Sequence, residues 1–129
     1  MNLQLGVRGQ ARTTVTSLNT AKAMGSGLLE VFATPAMVAL MEQAAVNSLI
    51  LPVGQSSVGT SLSITHTAAT PLGVKVSATA ELVKIDRRRL VFYVGVCDEA
   101  GQIGEGKHER FIIDVEPFLA KAHSRKLGL

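Results

Sequence analysis

The chain has 129 residues, of which 47% are hydrophobic, 18% charged and only 4% aromatic, with no Trp. That length suits a single domain over residues 1–129, and the apolar content excludes a disordered chain. A net charge of +3 with a pI near 9.4 is mildly basic, and basic residues not massed on one element, with few rings to stack bases, argue against a nucleic-acid partner.

Other classes drop out as well. The longest apolar run, Ala36 to Met41, is far short of the roughly 20 residues of a membrane-spanning helix. The N-terminal MNLQLGVRGQ lacks the charged-then-apolar pattern of a leader. The one cysteine, Cys97, excludes an internal disulfide framework and fits a reducing, cytoplasmic setting. A mean hydropathy of +0.29 built from aliphatic residues implies near-complete burial or a surface shared with a partner.

In chain order, residues 5–16 alternate and are rich in β-branched side chains, which predicts a strand. Residues 20–33 carry Gly25 and Gly27 and read as a mobile connection. Thr34-Pro35 then opens a helix, with Thr34 as N-cap and Pro35 at the first helical position. The helix runs to Leu51, where Pro52 and Gly54 stop it. Its polar residues are Glu42, Gln43, Asn47 and Ser48, so it is apolar nearly all round and predicted to be buried. Residues 57–66 alternate, with Val58, Thr60, Leu62, Ile64 and His66 predicted on one face. Strands over 74–85, 89–99 and 102–115 follow, joined by tight turns, and a short helix closes the chain over about 116–126. The order β–α–β–β–β–β–(α) suggests an antiparallel sheet around one buried helix. The edges and second face of such a sheet favour a dimer.

Glu42 is the only charge on the long helix. An ionised carboxylate there either lies on a narrow solvent stripe or is paired, hydrogen-bonded or protonated, and perturbed buried carboxylates cluster at active sites. Thr34, whatever its capping role, sets a hydroxyl beside helical N–H groups that stabilise an oxyanion. His66 ends its strand on an apolar face, as a hydrogen-bonded structural residue or a catalytic one. His108 and His123 are expected at the surface. No residues show metal-ligand spacing, so no metal is expected. Gly101 to Lys107 matches the first seven positions of a phosphate-binding loop, but His108 stands where Ser or Thr is needed and a strand-like run follows. The cluster Lys84, Arg87, Arg88 and Arg89 is either a solvated turn or a phosphate dock.

The runs VFATPAMVALMEQAA (31–45), SVGTSLSITHTAATPLGVKVSATAEL (57–82) and GEGKHERFIID (104–114) resemble the hotdog-fold acyl-CoA thioesterases, most of all their fluoroacetyl-CoA thioesterase-like branch. The resemblance implies an α+β hotdog fold: a five-stranded antiparallel sheet wrapped around one long central helix. It implies a homodimer, or a higher oligomer built from it, with active sites near the dimer interface. It implies catalytic roles for Thr34, Glu42 and His66, with Gly59 shaping the carbonyl-binding region and Arg110 beside the site. Leu28 and Leu29 stand where that branch carries an aromatic lid, with Phe32 closer to the helix. Leu28, Phe32 and Met37 are the expected acyl-binding residues.

The expected function is hydrolysis of a short- or medium-chain acyl-CoA to the acid and free CoA, with no cofactor, since CoA is part of the substrate. Glu42 would activate water or attack directly, with Thr34 assisting or acting as nucleophile. A non-catalytic acyl-CoA-binding module and a dehydratase acting on hydroxyacyl thioesters are the alternatives.

Overall fold

The computed structural model describes residues 3–127. In chain order the elements are β1 (Arg8–Thr14), α1 (Ala21–Met24), α2 (Thr34–Asn47), β2 (Gln55–His66), β3 (Lys75–Asp86), β4 (Arg89–Asp98), β5 (Gly101–Asp114) and α3 (Val115–Leu127). The five strands form one antiparallel sheet in the order β1-β3-β4-β5-β2, which leaves β1 and β2 at its edges.

Alternation decides which face is buried. Val76, Ala78, Ala80 and Leu82 of β3 and Leu90, Phe92, Val94 and Val96 of β4 all point inward. They meet Met37, Leu40, Met41, Ala44 and Ala45, the buried stripe of α2. Each fully buried aliphatic of Leu or Met size stabilises the fold by about 2 kcal/mol. The sheet therefore wraps one side of α2, while Ala39, Gln43 and Val46 remain exposed. Burial is one-sided in a single chain, not all round. Gly9 brings β1 against the end of α2, since a Cβ there would overlap the Ala44 carbonyl oxygen.

Three local expectations change. The connection over 20–33 contains α1, capped by the Thr20 hydroxyl and closed by Gly25 in the left-handed region at φ 73°. The long helix ends at Asn47, not Leu51. Ser48 turns back on it through Oγ to the Ala45 carbonyl, and Leu49 and Leu51 leave the helix to pack against the core. The third change lies in β2. Gly59 pairs with Arg110 and Ser61 with Glu109, so Thr60 is an extra residue, a β-bulge. One extra residue switches the inward set from Ser57 and Gly59 to Leu62, Ile64 and His66. Val58, predicted on the face of His66, is turned to the opposite face, paired with the half-exposed Phe111.

The loop after His66 is strapped in place. Thr67 N–H donates to the Ile103 carbonyl and Phe32 N–H to the Thr70 carbonyl. The fully buried Thr70 hydroxyl donates to Asp98 Oδ2 at 2.7 Å, which holds the Asp98 carboxyl below its usual pKa. Thr70→Val should therefore destabilise the protein by about 1–2 kcal/mol at neutral pH in urea unfolding. A depressed carboxyl pKa contributes stability above its unfolded value that is lost as pH falls through its folded value, so variant and wild type should converge in acid.

Candidate active site

Thr34 is the first residue of α2, and the N-cap position belongs to Ala33, which has no capping side chain. The predicted cap is absent because the hydroxyl has another partner. Thr34 Oγ1 lies 2.7 Å from Nδ1 of His66, the last residue of β2. Burial lowers the His66 pKa, so the imidazole is neutral near pH 7. Its Nε2 is buried with no hydrogen-bond partner among the described residues. Thr34 and His66 open onto a cavity of about 270 Å³ walled by Ala21, Val31, Phe32 and Ala68. A hydroxyl held on a neutral imidazole beside a helix N-terminus is an arrangement for proton transfer and oxyanion binding.

Glu42 stands two turns further along α2, about 12 Å from Thr34 by the helical rise. Its side chain is 41% exposed in the single chain and its Oε2 accepts from Arg110 Nη1 at 3.3 Å. The solvent-stripe and paired-carboxylate readings are thus both partly met. Gly59 makes the pairing possible: a Cβ there would overlap Glu42 Oε2. Gly59→Ala should therefore push the carboxylate aside and, with Glu42 in its expected catalytic role, lower kcat about 100-fold, as misplacement by about 1 Å does. The added Cβ would also press on the buried His108 ring, 3.2 Å from its Cε1, so a modest fall in melting temperature should accompany the loss.

Arg110 is buried and each of its three guanidinium nitrogens has a partner. Nε donates to Ser57 Oγ at 2.8 Å and Nη2 to the Ser57 carbonyl at 2.9 Å. Nη1 also lies 3.1 Å from Nε2 of His108. His108 corrects the surface expectation: it is 1% exposed, beneath Glu42. The sequence did carry a signal for it. Gly104, Gly106, His108, Arg110 and Ile112 occupy every second position of β5, so burial of Ile112 carries His108 inward with it.

Other predicted residues are scattered. Phe32 is buried beside Thr34 and lines its cavity. Met37 is fully buried against Gly104, within the core. Leu28 is 89% exposed on the segment ahead of α2. The arginines of the β3–β4 hairpin each meet a carboxylate: Arg87 with Asp86 at 3.2 Å, Arg88 with Asp114 at 3.4 Å and Arg89 with Glu109 at 2.8 Å. The phosphate-loop look-alike is the start of β5, not a loop ahead of a helix. A roomier hollow of about 620 Å³ over Arg12, Lys75 and Cys97 contains none of the predicted site residues. Among the described residues no cluster of three or more His, Cys, Asp or Glu could hold a metal, and no helix is long and apolar enough to cross a membrane.

The fluoroacetyl-CoA-specific thioesterase family matches residues 15–116, a span that includes both halves of this geometry. The chain belongs to that family. The fluoroacetyl-CoA thioesterase of Streptantibioticus cattleyicolor is 47% identical over 98 residues, covering 74% of this chain and 70% of its own. A mutant of the fluoroacetyl-CoA-specific thioesterase, solved in complex with fluoroacetate and CoA, superposes with a TM-score of 0.84 at 39% identity, over 90% of this chain and 99% of that one. A hot-dog-like protein from Thermanaerovibrio acidaminovorans superposes at 0.86 with 25% identity, over 95% and 93%. The hotdog fold expected from the sequence motifs is the fold observed. The matched span contains the THTAATP run (65–71) and the HER run (108–110) on which the resemblance rested, and Leu28 and Leu29 stand where that resemblance implied an aromatic lid.

Proposed function

We propose that this protein hydrolyses short- or medium-chain acyl-CoA thioesters to the carboxylic acid and free CoA, using Thr34, Glu42 and His66 as catalytic residues. The observation that carries the reading is the 2.7 Å contact between Thr34 Oγ1 and His66 Nδ1 in a chain of this thioesterase family. Glu42, steered by Arg110, takes a proton from water as the water oxygen bonds to the thioester carbonyl carbon. The Thr34 hydroxyl and the free N–H groups of α2 receive the negative charge that develops on the carbonyl oxygen. As the intermediate collapses, the C–S bond breaks. The proton that Glu42 took from water passes by way of His66 to the sulfur, which leaves as the thiol, and Glu42 is again a carboxylate. No cofactor takes part. The bound fluoroacetate and CoA of the solved relative support an acyl-CoA as ligand here too.

The working unit is a homodimer. β2 is an edge strand that pairs with β5 on one side and with no strand on the other among the described residues. The Ser57–Gly59 stretch beside Glu42 lies toward one end of β2, and His66 is at the other end. Antiparallel pairing of two β2 strands about their midpoint sets the His66 end of one copy against the Gly59 end of the other. The 12 Å between Glu42 and Thr34 along one helix is then bridged across the interface. CoA chemistry and the exposed thiol of Cys97 suit a cytoplasmic enzyme.

The test is thiol release from a panel of acyl-CoAs of increasing chain length, fluoroacetyl-CoA included. Turnover is expected on short and medium chains. Tight binding with no thiol released would replace the enzyme by an acyl-CoA-binding module.

A further inference from the structure

We propose that His108 is a positioning residue: its unprotonated Nε2 holds the Arg110 guanidinium against Glu42, so that the carboxylate keeps one orientation during turnover. The proposal rests on the reading of Glu42 as catalytic.

The tautomer follows from the partners. An arginine has donors only and stays charged, so the 3.1 Å contact between Arg110 Nη1 and His108 Nε2 requires a bare lone pair on Nε2. The proton of the neutral ring then sits on Nδ1, which donates to the Ser61 carbonyl at 2.9 Å. Both ring nitrogens are thus committed, one to each side. Ser61 is the residue at which β2 resumes its register after the bulge, so the same ring ties that irregularity to the guanidinium.

The ring itself has little freedom. Phe92 of β4 lies directly opposite His108 in the sheet, with ring centroids 6.3 Å apart, and Leu62 of β2 flanks it on the other side. The charged groups facing it are Glu42 from α2 and Arg110 from its own strand, with Glu109 acting from the opposite face of the sheet. Desolvation and the Arg110 charge disfavour the imidazolium, which keeps Nε2 free to accept.

Ser57 fixes the other edge of the guanidinium through Nε and Nη2. His108 is therefore the one side chain that orients Nη1 from below while Glu42 receives it from above. Without that acceptor, Nη1 has only the half-exposed carboxylate to follow, and the two can move together. Orientation of this kind acts on the chemical step rather than on substrate affinity.

The experiment has two arms. In the first, thiol release is measured for His108→Leu, His108→Gln, Arg110→Met and the His108→Leu/Arg110→Met pair, each with a melting curve. His108→Leu should lower kcat about 10- to 100-fold with KM for acyl-CoA nearly unchanged, as loss of a hydrogen bond to a charged group does. His108→Gln, which keeps an acceptor, should recover part of that loss. In the Arg110→Met background the Leu substitution should cost less than about twofold, because its target is gone. An equal loss in both backgrounds would overturn the proposal. The second arm reads the ring nitrogens of the wild type by 15N NMR at pH 7. A proton on Nδ1 with Nε2 bare is expected, and a proton on Nε2 overturns the proposal whatever the kinetics show. A wild type that releases no thiol, with the Nδ1 tautomer present, would sink the thioesterase reading and leave the His108–Arg110 link standing.

Discussion

Glu42→Gln is expected to lower kcat for thioester hydrolysis about 10³-fold while the protein stays folded. The substitution keeps the length and shape of the side chain. Its amide oxygen can still accept from Arg110 Nη1, and it fits the space that Gly59 leaves open. What it loses is basicity, so water is no longer activated at neutral pH. The stability cost should stay under about 2 kcal/mol, because the Glu42 side chain is 41% exposed and Arg110 keeps both Ser57 bonds and His108. Thiol release and thermal melting measured on the same samples separate the two effects. A folded Gln variant working within tenfold of wild type would show that Glu42 is a surface carboxylate that happens to meet an arginine.

Much of this candidate site is legible in the sequence. A long apolar helix with one charge singles out Glu42, and the alternation over 57–66 ends on His66. The family motifs then point to the same residues. What was hidden was non-local. The bulge at Thr60 comes from the register of β2 on β5, which no pattern within β2 reports. Alternation read straight through it put Val58 on the wrong face. Thr34 looked like an N-cap because local sequence shows a hydroxyl before Pro35 and cannot show a histidine 32 residues away. The surface expected for His108 gives way to burial because Ser61 and Arg110 satisfy both ring nitrogens, partners that lie outside its local sequence pattern. The end of α2 was missed for a related reason: Leu49 to Leu51 continue an apolar run, but they serve the core from outside the helix.

The largest effect expected of the proposed dimer is a recovery of activity from two dead proteins. His66→Ala removes the partner of Thr34 and should lower kcat about 10²- to 10⁴-fold, as Glu42→Gln does. Suppose each active site takes Glu42 from one copy and the Thr34–His66 pair from the other. A mixed dimer of one Glu42→Gln chain and one His66→Ala chain then concentrates both lesions in one site. Its other site has an intact Glu42 from the His66→Ala chain and an intact His66 from the Glu42→Gln chain. Random exchange gives half mixed dimers with one good site each, so activity should rise to about a quarter of wild type. If both residues served from the same chain, every site in the mixture would carry one lesion, and mixing would recover nothing. The midpoint pairing of β2 favours the first outcome. In the proposed dimer, the interface that protects the sheet edge from open-ended association also closes the gap between Glu42 and Thr34, so a chain held as a folded monomer should show no turnover although it keeps Thr34, Glu42 and His66.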